Sequence, residues 1–167
     1  MEAVTAEPED SIEEVCDVAP SGSDAPTLTW PELASGQPPG APDGPRWLNV
    51  WATWCRPCVE EMPRIVGWSE RMRSEGAGVE LVFLASDATD EAVTEFRQSH
   101  PDTPESLRVA DPQTIADWAT SVGLDAGATL PIHVFTDAEN RVRCARTGAV
   151  SEDDYASVRD LVRRLSR

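Results

Sequence analysis

The chain has 167 residues, 40% of them hydrophobic, with a formal net charge of -16. That is enough for one domain with a full core and short for two. All 14 basic residues are Arg, and the acidic balance excludes a nucleic-acid backbone or an anionic membrane surface as the natural partner, since either needs a basic face. In chain order, residues 1–27 come first. They carry eight acids (Glu2, Glu7, Glu9, Asp10, Glu13, Glu14, Asp17, Asp24), no base, and Pro8, Pro20 and Pro26. This predicts an acidic N-terminal arm or linker ahead of a domain over 28–167. Within it, SIEEVC (Ser11 to Cys16) offers Ile12, Val15 and Cys16 for a short docked turn. The opening MEAVTAEPED lacks the basic and apolar regions of a signal peptide. A cytosolic protein and one whose targeting segment was removed both stay open. No stretch approaches the roughly 18 apolar residues of a membrane span.

ASGQPPGAPDGP, Ala34 to Pro45, predicts a Pro/Gly loop. A strand–helix alternation follows. RWLNVWA reads as a buried strand, and Val59, Met62, Ile65, Val66 and Met72 fall mostly at helical spacing from Arg56 to about Ser74. Pro63 should kink that helix. VELVFLAS is a second buried strand, TDEAVTEFRQSH a helix with Ala92, Val93 and Phe96 inward, and SLRVA a third, shorter strand. Asp111 caps a helix with Pro112 at its first position. PIHVFTDAENRVRCARTG reads as two strands joined by a turn at Asp137 to Asn140. Ser151 and Asp154 open a last helix whose apolar positions are Tyr155, Val158, Leu161, Val162 and Leu165. The order predicts an α/β fold, a central mixed sheet with helices on both faces.

The chemistry concentrates in LNVWATWCRPCVEEMP, where Cys55 and Cys58 flank two residues. Cys55 falls where a strand turns into a helix, so the helix dipole and free N–H groups favour its thiolate. Arg56 adds a positive charge beside it. Cys58 lies one turn on, close enough for a disulfide. The pattern predicts thiol–disulfide exchange, Cys55 attacking and Cys58 resolving. A zinc knuckle would need two more ligands, and Cys16, Cys144, His100 and His133 are single and scattered. No metal is therefore expected. A redox-silent adaptor has no positive support when both cysteines are present. A thiol peroxidase, with Thr53 near the reactive cysteine, is the enzymatic alternative.

WATWCRPCVEEMP resembles the active-site segment of the thioredoxin superfamily. The tail Glu61-Met62-Pro63, the strand LNVWATWC and the later ATLPIHVFTDAENRVRCARTG resemble its TlpA/ResA-like branch of extracytoplasmic thioredoxins. The resemblance covers about Leu28 to Arg167. It implies a thioredoxin-like fold and a protein-disulfide oxidoreductase, reducing rather than oxidising, without a bound cofactor. By the match Cys55 is the attacking and Cys58 the resolving cysteine, and Trp54 lies against the disulfide. Pro63 kinks the active-site helix, and Glu61 is the acidic group near the cysteines. Pro131 would be a cis-proline that aims the backbone of Leu130 at an extended substrate. TLP stands where Gly-Val-Pro or Gly-Thr-Pro is usual in that branch. Asn49 stands where thioredoxin has a buried aspartate, which leaves Glu61 as the proton-handling candidate. The implied partners are protein thiols or disulfides, apocytochrome c among them, and an upstream electron donor. The protein is expected to be a monomer outside the cytoplasm, periplasmic or membrane-tethered.

That resemblance, with an even cysteine count, favours a structural disulfide between Cys16 and Cys144 that pins the arm across the sheet edge. Two separate buried thiols are the alternative. His133 reads as a satisfied core histidine and His100 as a surface or capping residue. Trp30, Trp47, Trp68 and Trp118 read as packing residues, while Trp51 and Trp54 combine packing with substrate contact.

Overall fold

The computed structural model describes Ile12 and residues 14–167. Part of the SIEEVC turn, and the arm before it, lie outside the described residues. Arg46–Trp51 (β2) is buried along its whole length. It lies inside a six-stranded sheet with Leu33–Ser35 (β1), Glu80–Ala85 (β3), Leu107–Val109 (β4), Ile132–Thr136 (β5) and Val142–Thr147 (β6). The order is β1-β4-β3-β2-β5-β6. β2, β3 and β4 run parallel, while β5 is antiparallel to β2 and to β6. The sheet is therefore mixed, as the element order requires.

β1 is the strand that the sequence reading missed. It has three residues, pairs antiparallel to β4 with a register shift, and takes Ala34 and Ser35 from the stretch predicted to be Pro/Gly loop, which starts only after them. A strand that short shows no period of two.

Alternation along β2 and β5 divides the core. Trp47 and Trp51 of β2 and Phe135 of β5 point to the face covered by Arg56–Ser74 (α1) and Tyr155–Leu165 (α4). Leu48, Val50, Ile132 and Val134 point to the other face, where Ile115–Ser121 (α3) contributes Ile115, Trp118 and Ala119. Asn49 and His133 sit directly across from each other on the first face. Each is a polar residue in an otherwise apolar strand core.

α1 is a single helix, and Pro63 lies within it. Asp90–Ser99 (α2) is capped by Thr89, whose hydroxyl accepts the Ala92 N–H. Ala92, Val93 and Phe96 face the core only in part and are half-buried. This helix is a cover over Trp51, whose ring centroid lies 5.6 Å from that of Phe96. α3 begins through a short 3-10 turn whose cap is Asp111. α4 follows a capping box of Ser151 and Asp154, and buries Tyr155, Val158, Leu161 and Val162.

Residues 14–27 are a pinned arm rather than a loose linker, and packing runs across residue 28. Val15, Cys16 and Ala25 are buried. Val18 bridges Ala145 and Thr27 bridges Arg141, which covers the free edge of β6. Cys16 is disulfide-bonded to Cys144. Three arginines of β6 and the preceding turn complete the attachment. Arg141 donates to the carbonyls of Ser23 and Ala25, Arg143 to that of Gly22, and Arg146 to those of Glu14 and Val15. Composition hid this because many of the contacts use the arm's backbone, and the acids that do take part, Glu14 accepting from Ser157 and Asp17 from the Thr147 N–H, look like solvated charges in the sequence.

Candidate active site

β2 ends at Trp51, at the C-terminal end of the parallel strands, and Cys55 is the extended N-cap residue of α1. The turn closes with Cys55 N–H donating to the Ala52 carbonyl at 3.1 Å. Asp87, at the end of β3, fixes the preceding loop: its carboxylate accepts the Thr53 N–H at 3.0 Å and the Thr53 hydroxyl. Asp87 is buried and was not anticipated. A polar residue straight after an apolar strand is the signal that could have marked it.

Cys55 and Cys58 are joined as a disulfide, with Cα atoms 5.3 Å apart. Cys58 is fully buried, whereas Cys55 keeps 5% exposure. Pro57 fits the first helical turn, where no N–H bond is lost. Thr53 is tied to Asp87 rather than free beside the cysteine. No cluster of three or more His, Cys, Asp or Glu suited to a metal ion occurs among the described residues.

Two sequence expectations need correction here. Arg56 does not turn its charge onto the sulfur: it pairs with Glu60 at 2.8 Å, both side chains lying in solvent. Such a pair is screened and contributes little to its surroundings. Trp51 is no substrate platform, being fully buried with its indole N–H donated to the Ser106 hydroxyl. Trp54, by contrast, is 71% exposed next to Cys55. It presents apolar surface to solvent rather than to the core.

Glu61 departs from its neighbour Glu60. It sits one turn after Cys58 on the buried face of α1 and is 1% exposed. Its Oε1 accepts from Asn49 Nδ2 at 3.2 Å and lies 2.9 Å from His133 Nε2. Its Oε2 accepts the Val150 N–H at 2.9 Å. His133 Nδ1 in turn accepts from Trp47 Nε1 at 3.0 Å. Three residues from two strands and one loop thus enclose one carboxylate, with Trp47 behind His133. His133 is a satisfied core histidine, yet it is also part of this cluster, which the sequence reading did not see.

The Leu130–Pro131 peptide bond is cis. Pro131 is buried and Leu130 half-buried. Among the described residues, none hydrogen-bonds the N–H or C=O of Leu130. Pro131 immediately precedes β5, and His133 lies within it on the face toward α1.

Comparison with known proteins agrees with this geometry. A thioredoxin-like family model matches residues 45–126. The thiol-disulfide oxidoreductase ResA of Bacillus thuringiensis (strain Al Hakam) is 42% identical over 50 residues, covering 30% of this chain and 28% of that protein. The ResA of Bacillus subtilis (strain 168) is 27% identical over 115 residues, covering 67% and 59%. The chain thus spans less than two thirds of the length of these relatives. In fold, the structure of a DsbF homologue from Corynebacterium diphtheriae matches with a TM-score of 0.61 at 20% identity, covering 86% of this chain and 91% of the other. With the mixed sheet and the cysteine pair at the helix N-terminus, these matches show a thioredoxin-like fold and a chain similar to the ResA thiol-disulfide oxidoreductases.

Proposed function

We propose that this chain is a thiol–disulfide oxidoreductase that reduces protein disulfides through Cys55 and Cys58 and carries no bound cofactor. One observation carries the reading: a disulfide closes one helical turn at the N-terminus of α1, its outer sulfur on the N-cap residue and its inner one fully buried. In the reduced protein the Cys55 thiolate attacks a substrate disulfide. A mixed disulfide forms, and the first substrate sulfur leaves and is protonated. Cys58 then loses its proton to the Glu61 carboxylate and attacks the Cys55 sulfur. The second substrate sulfur leaves as a thiolate and takes up the proton, Glu61 returns to its carboxylate, and the cysteine pair has given two electrons to the substrate. An upstream dithiol donor restores the reduced pair.

The substrate segment lies along Leu130, whose free N–H and C=O suit an extended chain, and against the exposed indole of Trp54. The Cys16–Cys144 bond supports a location outside the cytoplasm, periplasmic or membrane-tethered, because such bonds persist in oxidising compartments. Among the described residues no helix is long and apolar enough to cross a membrane. The TlpA/ResA-like resemblance suggests apocytochrome c as the first substrate to assay, with the protein acting as a monomer.

The test is the reduction potential of the pair in defined thiol buffers, read by Trp fluorescence, with Cys58→Ser as control. A value near roughly -270 mV supports a reductant, and one near roughly -120 mV reverses the direction to disulfide formation. Absence of any reversible two-electron transition sinks the redox reading.

A further inference from the structure

His133 is a fully buried ionisable side chain to which the exchange chemistry above gives no task. Its two ring nitrogens face unlike partners. Nδ1 lies 3.0 Å from Trp47 Nε1. Nε2 lies 2.9 Å from Glu61 Oε1 and 3.3 Å from Oε2. An indole N–H can only donate. Nδ1 is therefore the acceptor, and the ring proton sits on Nε2, aimed at the carboxylate.

The other groups facing Glu61 are also donors. β2 supplies Asn49 Nδ2, and the loop before α4 supplies the Val150 N–H. The nearest cations point elsewhere. Arg64 of α1 donates to the Val150 carbonyl, and Arg146 of β6 to the carbonyls of Gly148 and Ala149. On α4, the Tyr155 hydroxyl donates to Glu75. A carboxylate is thus held by hydrogen bonds alone, one helical turn from Cys58 and on the same buried face.

We propose that His133, fixed in its Nε2–H tautomer by Trp47, is a positioning residue that holds the Glu61 carboxylate beneath Cys58 and so makes the reduced cysteine pair a stronger reductant. The inference rests on the thiol–disulfide reading. A fixed negative charge in a poorly solvated site opposes a second one, so it disfavours thiolate formation nearby. Thiolate stabilisation is what favours the reduced form of such a pair. Donors that hold the Glu61 carboxylate in place therefore favour the disulfide, and the pair gives its electrons more readily.

The test measures the thiol–disulfide equilibrium of the full chain against dithiothreitol, trapped by alkylation, for wild type and four variants. His133→Leu and Glu61→Gln should each move the equilibrium toward the reduced pair by up to about tenfold, which is about 30 mV for two electrons. His133→Gln, whose amide can donate to Glu61 and accept from Trp47, should stay within about twofold of wild type. The double variant His133→Leu/Glu61→Gln should shift no further than Glu61→Gln alone, because one residue acts through the other. An unmoved His133→Leu, or fully additive shifts, overturns the proposal while leaving wild-type exchange intact. Should His133→Leu not fold, Trp47→Phe takes its place: it removes the indole donor to Nδ1, leaving only the longer 3.4 Å approach of Asn49 Nδ2, while keeping aromatic packing on Phe135, 4.8 Å away between ring centroids. It should shift in the same direction, and no shift overturns the proposal. A wild type with no two-electron transition removes the exchange reading and this one together.

Discussion

The molecule carries two disulfides, and burial does not tell them apart. Cys55 and Cys58 are 5% and 0% exposed, Cys16 and Cys144 9% and 0%. Their settings differ. Cys55–Cys58 joins residues three apart at a helix N-terminus, while Cys16–Cys144 joins residues 128 apart, one of them in the middle of a strand. Closing a long loop removes far more freedom from the unfolded chain, about 5 kcal/mol against about 2 kcal/mol in the chain-entropy model. Only the first bond has a helix dipole at its outer sulfur and a buried carboxylate one turn beyond its inner one. The lesson is that backbone context, rather than accessibility, separates a reactive bond from a structural one.

The strongest way to break that comparison is to remove the long-range bond. Cys16→Ser/Cys144→Ser should cost about 2–5 kcal/mol in chemical denaturation and leave the Cys55/Cys58 potential unchanged. A shifted potential would mean that the two regions are coupled. A smaller effect should come from the turn that aligns β5 with β6. There the Asp137 carboxylate accepts from the Glu139 and Arg141 N–H groups and from Arg143 Nε at 2.7 Å. Burial pushes its pKa up, but the Arg143 bond and the two backbone bonds outweigh this, and the net shift is downward. A lowered carboxylate stabilises the fold above its unfolded value of about 3.9, and that share is lost as pH falls through the lower folded value. Asp137→Asn should therefore cost about 1–2 kcal/mol near neutral pH and flatten the acid limb of the stability profile. Equal acid sensitivity in both proteins would count against it. The smallest effect belongs to Arg56→Ala. Its exposed pair with Glu60 should be worth under about 0.5 kcal/mol, and the potential should move by less than about 10 mV. A larger move would return Arg56 to the site and sharpen the distinction between the two bonds differently.

Much of this architecture was legible in the sequence. Apolar runs, caps and turn residues marked the elements from Arg46 onward, because each signal is local. β1 was hidden because three residues show no period, and the arm's docking because it depends on distant arginines. In the site, the cysteine spacing marked the N-terminus of α1, where the disulfide lies. The Trp47–His133–Glu61–Asn49 cluster was not visible, since it needs the register that sets Asn49 opposite His133 across 84 positions of sequence. A trace existed nonetheless: WLNVW and PIHVF each carry one polar residue inside a buried strand. A buried polar residue requires a partner, and two such strands side by side supply one another.

The arginines that hold the arm have an evolutionary consequence. They grip carbonyl oxygens at Glu14, Val15, Gly22, Ser23 and Ala25, and every amino acid carries that oxygen. Docking of this segment is consequently blind to most side-chain identities. Away from Glu14 to Val18 and Ala25, whose side chains pack or hydrogen-bond, the segment is free to drift in composition and accumulate negative charge while keeping its seat on β6. A lysine, with one compact ammonium in place of a planar fork, would be a poor substitute where a single side chain must span two carbonyls.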